Sequence, residues 1–208
     1  ALIDGMSRSK ALEMLSQVPQ DPFQVAVFQL SGGTTGVPKI IPRFHNEYVY
    51  NMRAVAKFVG YTPEDRLFVP MPMMHNLNMG ANNASSLRHL LGCTVHHVFG
   101  MTEGVMMFTL ADDPLLVQDT MHGRPISPKD KVKLFQVGTE IEITEPGVEG
   151  ECAFLGPYTI HGYYDAAERN KETFTSHGYY RSGDLMSFHD VGGKRYYQFR
   201  GRTKDVVD

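Results

Sequence analysis

Residues 31–39 read Ser31-Gly32-Gly33-Thr34-Thr35-Gly36-Val37-Pro38-Lys39 and combine three glycines, three hydroxyl side chains and one lysine. Glycines let backbone N–H groups approach an anion closely, hydroxyls add donors, and a lysine adds positive charge. The segment therefore predicts a phosphate-binding loop formed by Ser31, Gly32, Gly33, Thr34, Thr35, Gly36 and Lys39. It differs from the common G-x-x-x-x-G-K-[ST] loop, because Lys39 comes three residues after Gly36 and no Ser or Thr follows it. An ordinary turn rich in glycine and threonine is the alternative, which the length and density of the motif disfavour.

The residues on either side of this loop predict alternating strands and a helix. Val25–Leu30 is an apolar run that predicts a buried strand leading into the loop. Asn46 predicts the start of a helix that ends at Gly60, with one apolar face formed by Tyr48, Met52, Val55 and Val59. Arg66–Met71 predicts a second buried strand. Strand, loop, helix and strand make a βαβ unit, so we expect an α/β fold over residues 1–130.

The pattern changes near residue 131, where short stretches with alternating polar and apolar residues begin. The tetrapeptide Asp190-Val191-Gly192-Gly193 predicts a hairpin turn between the last two of these stretches. Residues 131–200 are therefore predicted to form a small antiparallel β subdomain. Its strands are expected at Lys131–Phe135, Glu140–Thr144, Glu151–Leu155, Asp184–Phe188 and Arg195–Phe199.

Composition restricts the class of protein. Of the 208 residues, 42% are hydrophobic and 21% charged, the formal net charge is −3, and no basic run occurs. These values argue against nucleic acid or an anionic membrane as the main partner. Cys93 and Cys152 are the only cysteines, and residues 1–5 lack the features of a signal peptide. We therefore expect reduced thiols and a cytoplasmic location.

Three further motifs follow the phosphate loop along the chain. They are Phe99-Gly100-Met101-Thr102-Glu103-Gly104, Tyr180-Arg181-Ser182-Gly183-Asp184 and Gly201-Arg202-Thr203-Lys204-Asp205. In this order they resemble the acyl-adenylate-forming superfamily, which includes acyl-CoA synthetases, adenylation domains of peptide synthetases, and luciferases. The resemblance implies the large N-terminal domain of these enzymes, with residues 201–208 as the hinge and the start of a C-terminal domain that the chain does not contain.

The likeness is greatest to the stand-alone aryl acid–AMP ligases that start siderophore and related antibiotic or nonribosomal peptide assembly lines. It includes the segments Leu30–Gly33, Ile41-Pro42-Arg43, Met74-His75-Asn76, Gly156–Ile160 and Gly162-Tyr163-Tyr164. This resemblance implies an ATP-dependent ligase that joins an aromatic carboxylic acid to AMP. The aryl group would then pass to the phosphopantetheine thiol of a carrier protein.

The resemblance also implies roles for individual residues, with ATP and Mg²⁺ as cofactors. Thr34, Thr35 and Lys39 would contact the β- and γ-phosphates, Thr102 the α-phosphate, and Glu103 would hold Mg²⁺, a hard cation suited to oxygen ligands. Asp184 would accept both ribose hydroxyls, Arg202 would contact ribose or phosphate, and Phe99 would stack on adenine. Gly100 and Met101 belong to the same nucleotide-binding motif. The implied catalytic residues are Lys39, His75, Thr102, Glu103 and Arg202.

The acid pocket is predicted at His75, Asn76 and Leu77, which follow a predicted strand, together with Met101. Amino-acid-activating relatives have an Asp near Asn76 that pairs with the substrate ammonium. A neutral amide can hydrogen-bond a ring hydroxyl but cannot neutralise an ammonium, which favours an aromatic acid. The alternatives are a structural histidine and an apolar methionine cluster that belongs to the core.

The chain departs from the family pattern in two places. A family segment is missing between about 80 and 97, and the C-terminal domain with its adenylation lysine would follow Asp208. The chain is either part of a longer protein or a shortened polypeptide. Two other functions are therefore open: an aryl- or acyl-CoA ligase, and a non-catalytic module that binds nucleotide or aryl acid.

Overall fold

A computed structural model of the chain describes residues 6–19, 21–30, 39–64 and 95–205. The predicted loop residues 31–38, the predicted strand Arg66–Met71 and the acid-pocket residues 75–77 lie outside these ranges. The described part is mixed α/β, as expected, with helices and three separate antiparallel sheets. In this part, none of the helices is long and apolar enough to cross a membrane.

The first strand lies in a two-stranded ribbon. Helix α1 (Arg8–Ser16) is followed by β1 (Val25–Leu30) and β2 (Ile40–Phe44), which pair antiparallel with Leu30 opposite Ile40. Residues 31–38 therefore connect two paired strands. The prediction that β1 is buried is wrong, because Phe28 is 53% exposed and no described strand other than β2 pairs with β1.

Helix α2 (His45–Val59) follows β2 directly and begins one residue before the predicted cap Asn46. The backbone N–H of Phe44 donates to Glu47 Oε2 at 3.2 Å, so the N-terminal cap is Phe44 with help from the Glu47 side chain. The predicted stop is correct, since Gly60 adopts the left-handed conformation at φ 80°. The packed face of α2 differs from the prediction because Met52 is exposed, and it consists of Tyr50, Ala54, Val55, Phe58 and Val59.

A short three-stranded sheet comes next and carries one of the predicted motifs. It contains β3 (Val98–Gly100), β4 (Met106–Phe108) and β5 (Arg124–Pro125), in that spatial order. Helix α3 (Leu115–Thr120) connects β4 to β5. The turn between β3 and β4 therefore presents residues 101–105 at one end of this sheet.

The remaining strands form a four-stranded antiparallel sheet. Its spatial order follows the chain, from β6 (Lys131–Phe135) and β7 (Gly150–Leu155) to β8 (Tyr180–Val191) and β9 (Lys194–Arg202). Helix α4 (Ala167–Thr173) lies between β7 and β8, and a short 3₁₀ turn, Thr203–Asp205, follows β9.

Two details of this sheet test the sequence patterns. The hairpin turn is confirmed, because Val191 pairs with Lys194, and Gly192 and Gly193 have φ values of 59° and 75°. The predicted strand Glu140–Thr144 is wrong, since only Glu142 forms a bridge, to Phe135. Backbone hydrogen bonds from Gln136 N–H to Ile141 O at 2.9 Å and from Ile143 N–H to Leu134 O at 2.7 Å hold this segment beside β6 without making it a strand.

The main core joins the first part of the chain to the four-stranded sheet. Ile41, Phe99 and Met107 pack in one buried cluster with residues such as Cys152 and Met186. Cys152 is a free thiol with no exposed surface, and burial raises its pKa. Residues on both sides of position 130 contribute to this cluster, and the division of the chain into 1–130, 131–200 and 201–208 stays a prediction.

Candidate nucleotide site

Glu103 lies in the turn between β3 and β4. The turn is closed by the Gly104 N–H donating to Met101 O at 3.1 Å and the Met101 N–H donating to Val105 O at 3.3 Å. A Cβ atom at Gly104 would lie 2.8 Å from Phe154 Cε2 and 2.9 Å from Thr159 Cα. Because Gly104 has no side chain, this turn can pack closely against Phe154 and Thr159. The Ile160 N–H also donates to Glu103 O at 2.9 Å.

Arg43 supports the same turn from β2. Its Nη1 atom donates to the Thr102 carbonyl at 3.2 Å and to the Tyr158 carbonyl at 2.9 Å. The side chain is buried, and its Nε lies 3.6 Å from Oε2 of the equally buried Glu47. The carboxylate neutralises a guanidinium that would otherwise be costly to bury. The position of Thr102 and Glu103 thus depends on a buried ion pair.

The Glu103 carboxylate is only 7% exposed and accepts a hydrogen bond from the Tyr163 hydroxyl at 2.8 Å. The same hydroxyl lies 2.7 Å from the Tyr180 hydroxyl and accepts from Lys39 Nζ at 3.0 Å. The Lys39 ammonium also lies 4.7 Å from the Tyr163 ring centre, a cation–π contact. Burial lowers the pKa of Lys39, and the Glu103 charge opposes this shift. The lysine of the predicted phosphate loop therefore faces the predicted metal-binding carboxylate.

Asp184 and Arg202 are opposite each other on β8 and β9. Arg202 Nε lies 3.4 Å from Asp184 Oδ1, with the aspartate side chain buried and the arginine half exposed. Burial raises the pKa of Asp184, the charge of Arg202 lowers it, and the charge of Glu103 raises it. The net result is a pKa of about 6. The charge of Glu103 acts on the pKa of both Lys39 and Asp184, so both groups lie within electrostatic range of this carboxylate.

The aromatic residue of the first motif is deep in the protein. Phe99 is 2% exposed and its ring stacks with Phe199 at 6.3 Å between centroids. Stacking on adenine requires one ring face to be uncovered, so this role stays a prediction. Met101 is half-buried and packs against the main core, and its contacts with nucleotide or acid also stay predictions, as does the role of Gly100.

The carboxylates of the site fit a magnesium ion that receives most of its ligands from phosphate. In the described ranges, no group of three or more His, Cys, Asp or Glu side chains could hold a metal. Magnesium is commonly bound through one or two carboxylates together with substrate phosphates and water. Glu103 supplies such a carboxylate, with Asp184 nearby.

A large cavity lies elsewhere, between α2, residues 18, 19, 21 and 22, and the segment around β5. Its volume is about 1310 Å³, and Tyr50, Phe58 and Arg124 are among the residues that line it. Neither Lys39 nor Glu103 nor Asp184 contributes to its wall. The charged groups of the predicted motifs therefore converge at a different place on the molecule.

The sequence motifs contain some of these residues, but they did not indicate which other residues hold them in place. The described structure brings together Lys39, Glu103, Asp184 and Arg202, with Thr102 in the same turn as Glu103. Residues that the sequence did not assign are Arg43, Glu47, Tyr163 and Tyr180. Arg43, Tyr163 and Tyr180 lie inside segments that resemble the family, and this resemblance was the signal that could have identified them. Their contacts, however, join segments that are far apart in sequence.

The comparisons with known proteins identify the class to which the chain belongs, the AMP-binding enzymes. A family model described as AMP-binding enzyme matches residues 3–89. The chain is 31% identical to pyochelin synthase PchD of Pseudomonas aeruginosa and 29% identical to the vibriobactin-specific 2,3-dihydroxybenzoate-AMP ligase of Vibrio cholerae. These alignments cover 88% and 92% of the chain but 46% and 48% of the relatives. The chain belongs to the AMP-binding enzyme family, within the acyl-adenylate-forming superfamily.

A solved structure agrees with this assignment. The apo structure of Mycobacterium smegmatis MbtA superposes with a TM-score of 0.82 at 28% identity, covering 89% of this chain and 47% of that one. The chain therefore spans about half the length of the relatives that it matches. The alignment with PchD runs over 258 positions, more than the 208 residues of the chain, so this relative has internal residues without a counterpart here. The place of the missing segment, between about 80 and 97, stays a prediction.

Proposed function

We propose that this protein activates an aromatic carboxylic acid with ATP, forming aryl-AMP and pyrophosphate, and then loads the aryl group onto a carrier protein. The observation that carries this proposal is the convergence of Lys39, Glu103, Asp184 and Arg202 at one site. A lysine and an arginine can contact phosphate oxygens, one carboxylate can bind Mg²⁺, and another can accept ribose hydroxyls. These are the groups that a bound ATP requires.

In the first step, a carboxylate oxygen of the acid attacks the α-phosphorus of ATP. A new P–O bond forms, the bond between the α-phosphorus and the bridging oxygen breaks, and pyrophosphate leaves with the bonding electron pair. Negative charge increases on the phosphate oxygens during this step. Lys39 and the donors of residues 31–36 are proposed to stabilise the leaving pyrophosphate, and Thr102 and Arg202 the α-phosphate.

Glu103 is proposed to hold the magnesium ion, which neutralises phosphate charge when bound. Its hydrogen bond from the Tyr163 hydroxyl to Oε1 orients the carboxylate. Asp184 is proposed to accept the ribose hydroxyls in its ionised form. Its neighbour Arg202 favours that ionised form, because its charge lowers the pKa of Asp184.

In the second step, the thiol of a phosphopantetheine arm attacks the acyl carbon of aryl-AMP. A C–S bond forms, the thiol proton is released, and AMP leaves. The names of the relatives support an aromatic substrate, since the Vibrio cholerae protein is described as a 2,3-dihydroxybenzoate-AMP ligase. His75, Asn76, Leu77 and Met101 are proposed to contact the acid.

The test is pyrophosphate exchange into ATP, measured with purified protein, Mg²⁺ and a panel of acids. We expect exchange with salicylate and 2,3-dihydroxybenzoate and none with phenylalanine or octanoate. Exchange that occurs only with the aliphatic acid or only with the amino acid would contradict the proposed substrate class.

The acceptor is tested separately by mass spectrometry. The protein is supplied with ATP, the best acid and either a holo carrier protein or coenzyme A. We expect the carrier protein to gain the mass of the aryl group. Turnover with coenzyme A alone would instead establish an aryl-CoA ligase.

A second candidate is a binding module that holds nucleotide or aryl acid without turnover. It is favoured by the internal residues of PchD that have no counterpart in this chain. This candidate predicts ATP binding by calorimetry without any pyrophosphate exchange. Aryl-acid-dependent exchange by the 208-residue protein would exclude it.

A further inference from the structure

The Tyr163 hydroxyl contacts three functional groups from three distant parts of the chain. It lies 3.0 Å from Lys39 Nζ, 2.8 Å from Glu103 Oε1 and 2.7 Å from the Tyr180 hydroxyl. The Tyr163 residue is only 4% exposed. The hydroxyl therefore joins the lysine of the predicted phosphate loop to the carboxylate at the β3–β4 turn.

The chemistry of these groups determines the direction of each hydrogen bond. A phenol has one proton to donate, and its oxygen can accept two hydrogen bonds. A lysine ammonium only donates and a carboxylate only accepts, so Tyr163 accepts from Lys39 and donates to Glu103. Tyr180 then supplies its proton to the Tyr163 oxygen. All three hydrogen-bonding positions of the Tyr163 hydroxyl are used.

The rest of Tyr163 is held firmly enough to fix its hydroxyl. Its backbone N–H donates to Asn170 Oδ1 at 2.8 Å, and Asn170 Nδ2 donates back to its carbonyl at 3.0 Å. Asn170 belongs to α4, so a helix holds the tyrosine backbone at both polar atoms. The ring also packs edge-on against Tyr180, with 6.4 Å between centroids. A side chain fixed at both ends can position its partners.

We propose that Tyr163 is a positioning residue that holds Lys39 and Glu103 in one hydrogen-bonded unit and so prepares the site for Mg·ATP. The proposal rests on the nucleotide-binding function above. Without the hydroxyl, the ammonium loses an acceptor, and the carboxylate loses the donor that orients it. Both the phosphate contact and the metal contact should weaken together, while the aryl acid contact should not.

The test compares Tyr163→Phe with wild type in two measurements. Hydrogen bonds to charged groups contribute about 1.5–3 kcal/mol, so we expect Mg·ATP binding by calorimetry to weaken about tenfold or more. The Mg²⁺ concentration for half-maximal pyrophosphate exchange should rise similarly, whereas the KM for the acid should stay within about twofold. A residue with a purely structural role would lower the melting temperature without changing the Mg²⁺ requirement.

A matched control is provided by the neighbouring tyrosine. Tyr164 is 61% exposed and its ring contacts Phe28, so Tyr164→Phe removes a hydroxyl from the adjacent position and should leave Mg·ATP binding unchanged. Tyr180→Phe removes a hydroxyl that interacts with both Tyr163 and Glu103 but leaves the hydrogen bonds of Tyr163 with Lys39 and Glu103 in place, so it should weaken binding less than Tyr163→Phe does. In a Lys39→Ala background, Tyr163→Phe should add less than it does alone, because the two residues act as a unit.

The outcomes separate this inference from the proposed function. If wild type shows no acid-dependent exchange but Tyr163→Phe still binds Mg·ATP more weakly than Tyr164→Phe, the function is wrong and the inference holds. If Tyr163→Phe matches wild type in Mg·ATP affinity and in Mg²⁺ requirement, the inference is overturned. A wild-type protein that binds no Mg·ATP would overturn both.

Discussion

Replacing Arg43 with methionine should destabilise the protein strongly and weaken the nucleotide site. Methionine keeps much of the length of the side chain but removes the charge and both hydrogen bonds to the Thr102 and Tyr158 carbonyls. The partner Glu47 is 2% exposed and would keep its charge buried without the guanidinium, and in the described part of the chain the exposed His161 lies next to it, with Nδ1 3.7 Å from Oε1. Removing one partner of a buried ion pair costs about 3–5 kcal/mol. For a chain of this size, that corresponds to a decrease in melting temperature of about 10 °C.

The assay is urea unfolding followed by circular dichroism, together with the KM for Mg·ATP. Arg43→Met/Glu47→Gln removes both charges and should recover a large part of the lost free energy, because no buried charge is left unpaired. Lys171→Met is the surface control. Lys171 and Glu168 pair at 2.8 Å but both are exposed, so this change should stay within about 0.5 kcal/mol of wild type. Equal stability of Arg43→Met and wild type would refute the argument, as would a double variant no more stable than the single one.

Three further changes test other parts of the molecule. Burial raises the pKa of Asp184 to about 6, so the folded protein keeps this proton at a pH where the unfolded chain has lost it. The free energy of unfolding therefore falls as pH rises from about 4 to above 6. Asp184→Asn should reduce this loss of unfolding free energy by about 2–3 kcal/mol. Urea unfolding at pH 4 and pH 7.5 measures the loss, and the same loss in the variant and in wild type would contradict the prediction. Gly123→Ala would place a Cβ in steric conflict with the Phe108 carbonyl and should cost about 3 kcal/mol or more, whereas Gly138→Ala, at a similar φ in open space, should cost about 1 kcal/mol. Unfolding curves that coincide for these two variants would argue against the close contact. Asn76→Asp should shift pyrophosphate exchange from hydroxy-aryl acids toward amino-bearing acids, and an unaltered profile would remove Asn76 from the acid pocket.

The sequence predicted best the features that depend on neighbouring residues. Polar and apolar residues alternate along the strand Lys131–Phe135, and the pair Gly192-Gly193 allows the positive φ angles of a tight turn. The stop of α2 at Gly60 follows from the same property. Local chemistry determines these features, so a local pattern is sufficient to find them.

Two of the wrong predictions are the burial of β1 and the start of α2. The first depends on distant residues, and the second on which of two residues caps the helix. Val25–Leu30 is apolar enough for a buried strand, but in the described structure its only pairing is with β2. Asn46 is a good capping residue, yet the Glu47 side chain reaches back to Phe44 and the helix begins earlier.

For the site, as for the fold, the sequence indicated some features and not others. Glu103, Asp184 and Arg202 were assigned to the site because their motifs contain them, and their contacts with a ligand stay a prediction. The role of Tyr163 could not be predicted, because its partners Lys39 and Glu103 are 124 and 60 residues away in sequence. No local pattern encodes such a contact.

The support of Glu103 has a consequence for folding. Its turn is held by Arg43 from β2, by the backbone of Ile160 and by Tyr163 next to α4, so segments more than one hundred residues apart must meet before the carboxylate is in place. Contacts between distant segments close long loops and form late. A partly folded chain should therefore have secondary structure but little affinity for nucleotide. Bound nucleotide would in turn stabilise only the completed fold, as a selective ligand of the native state.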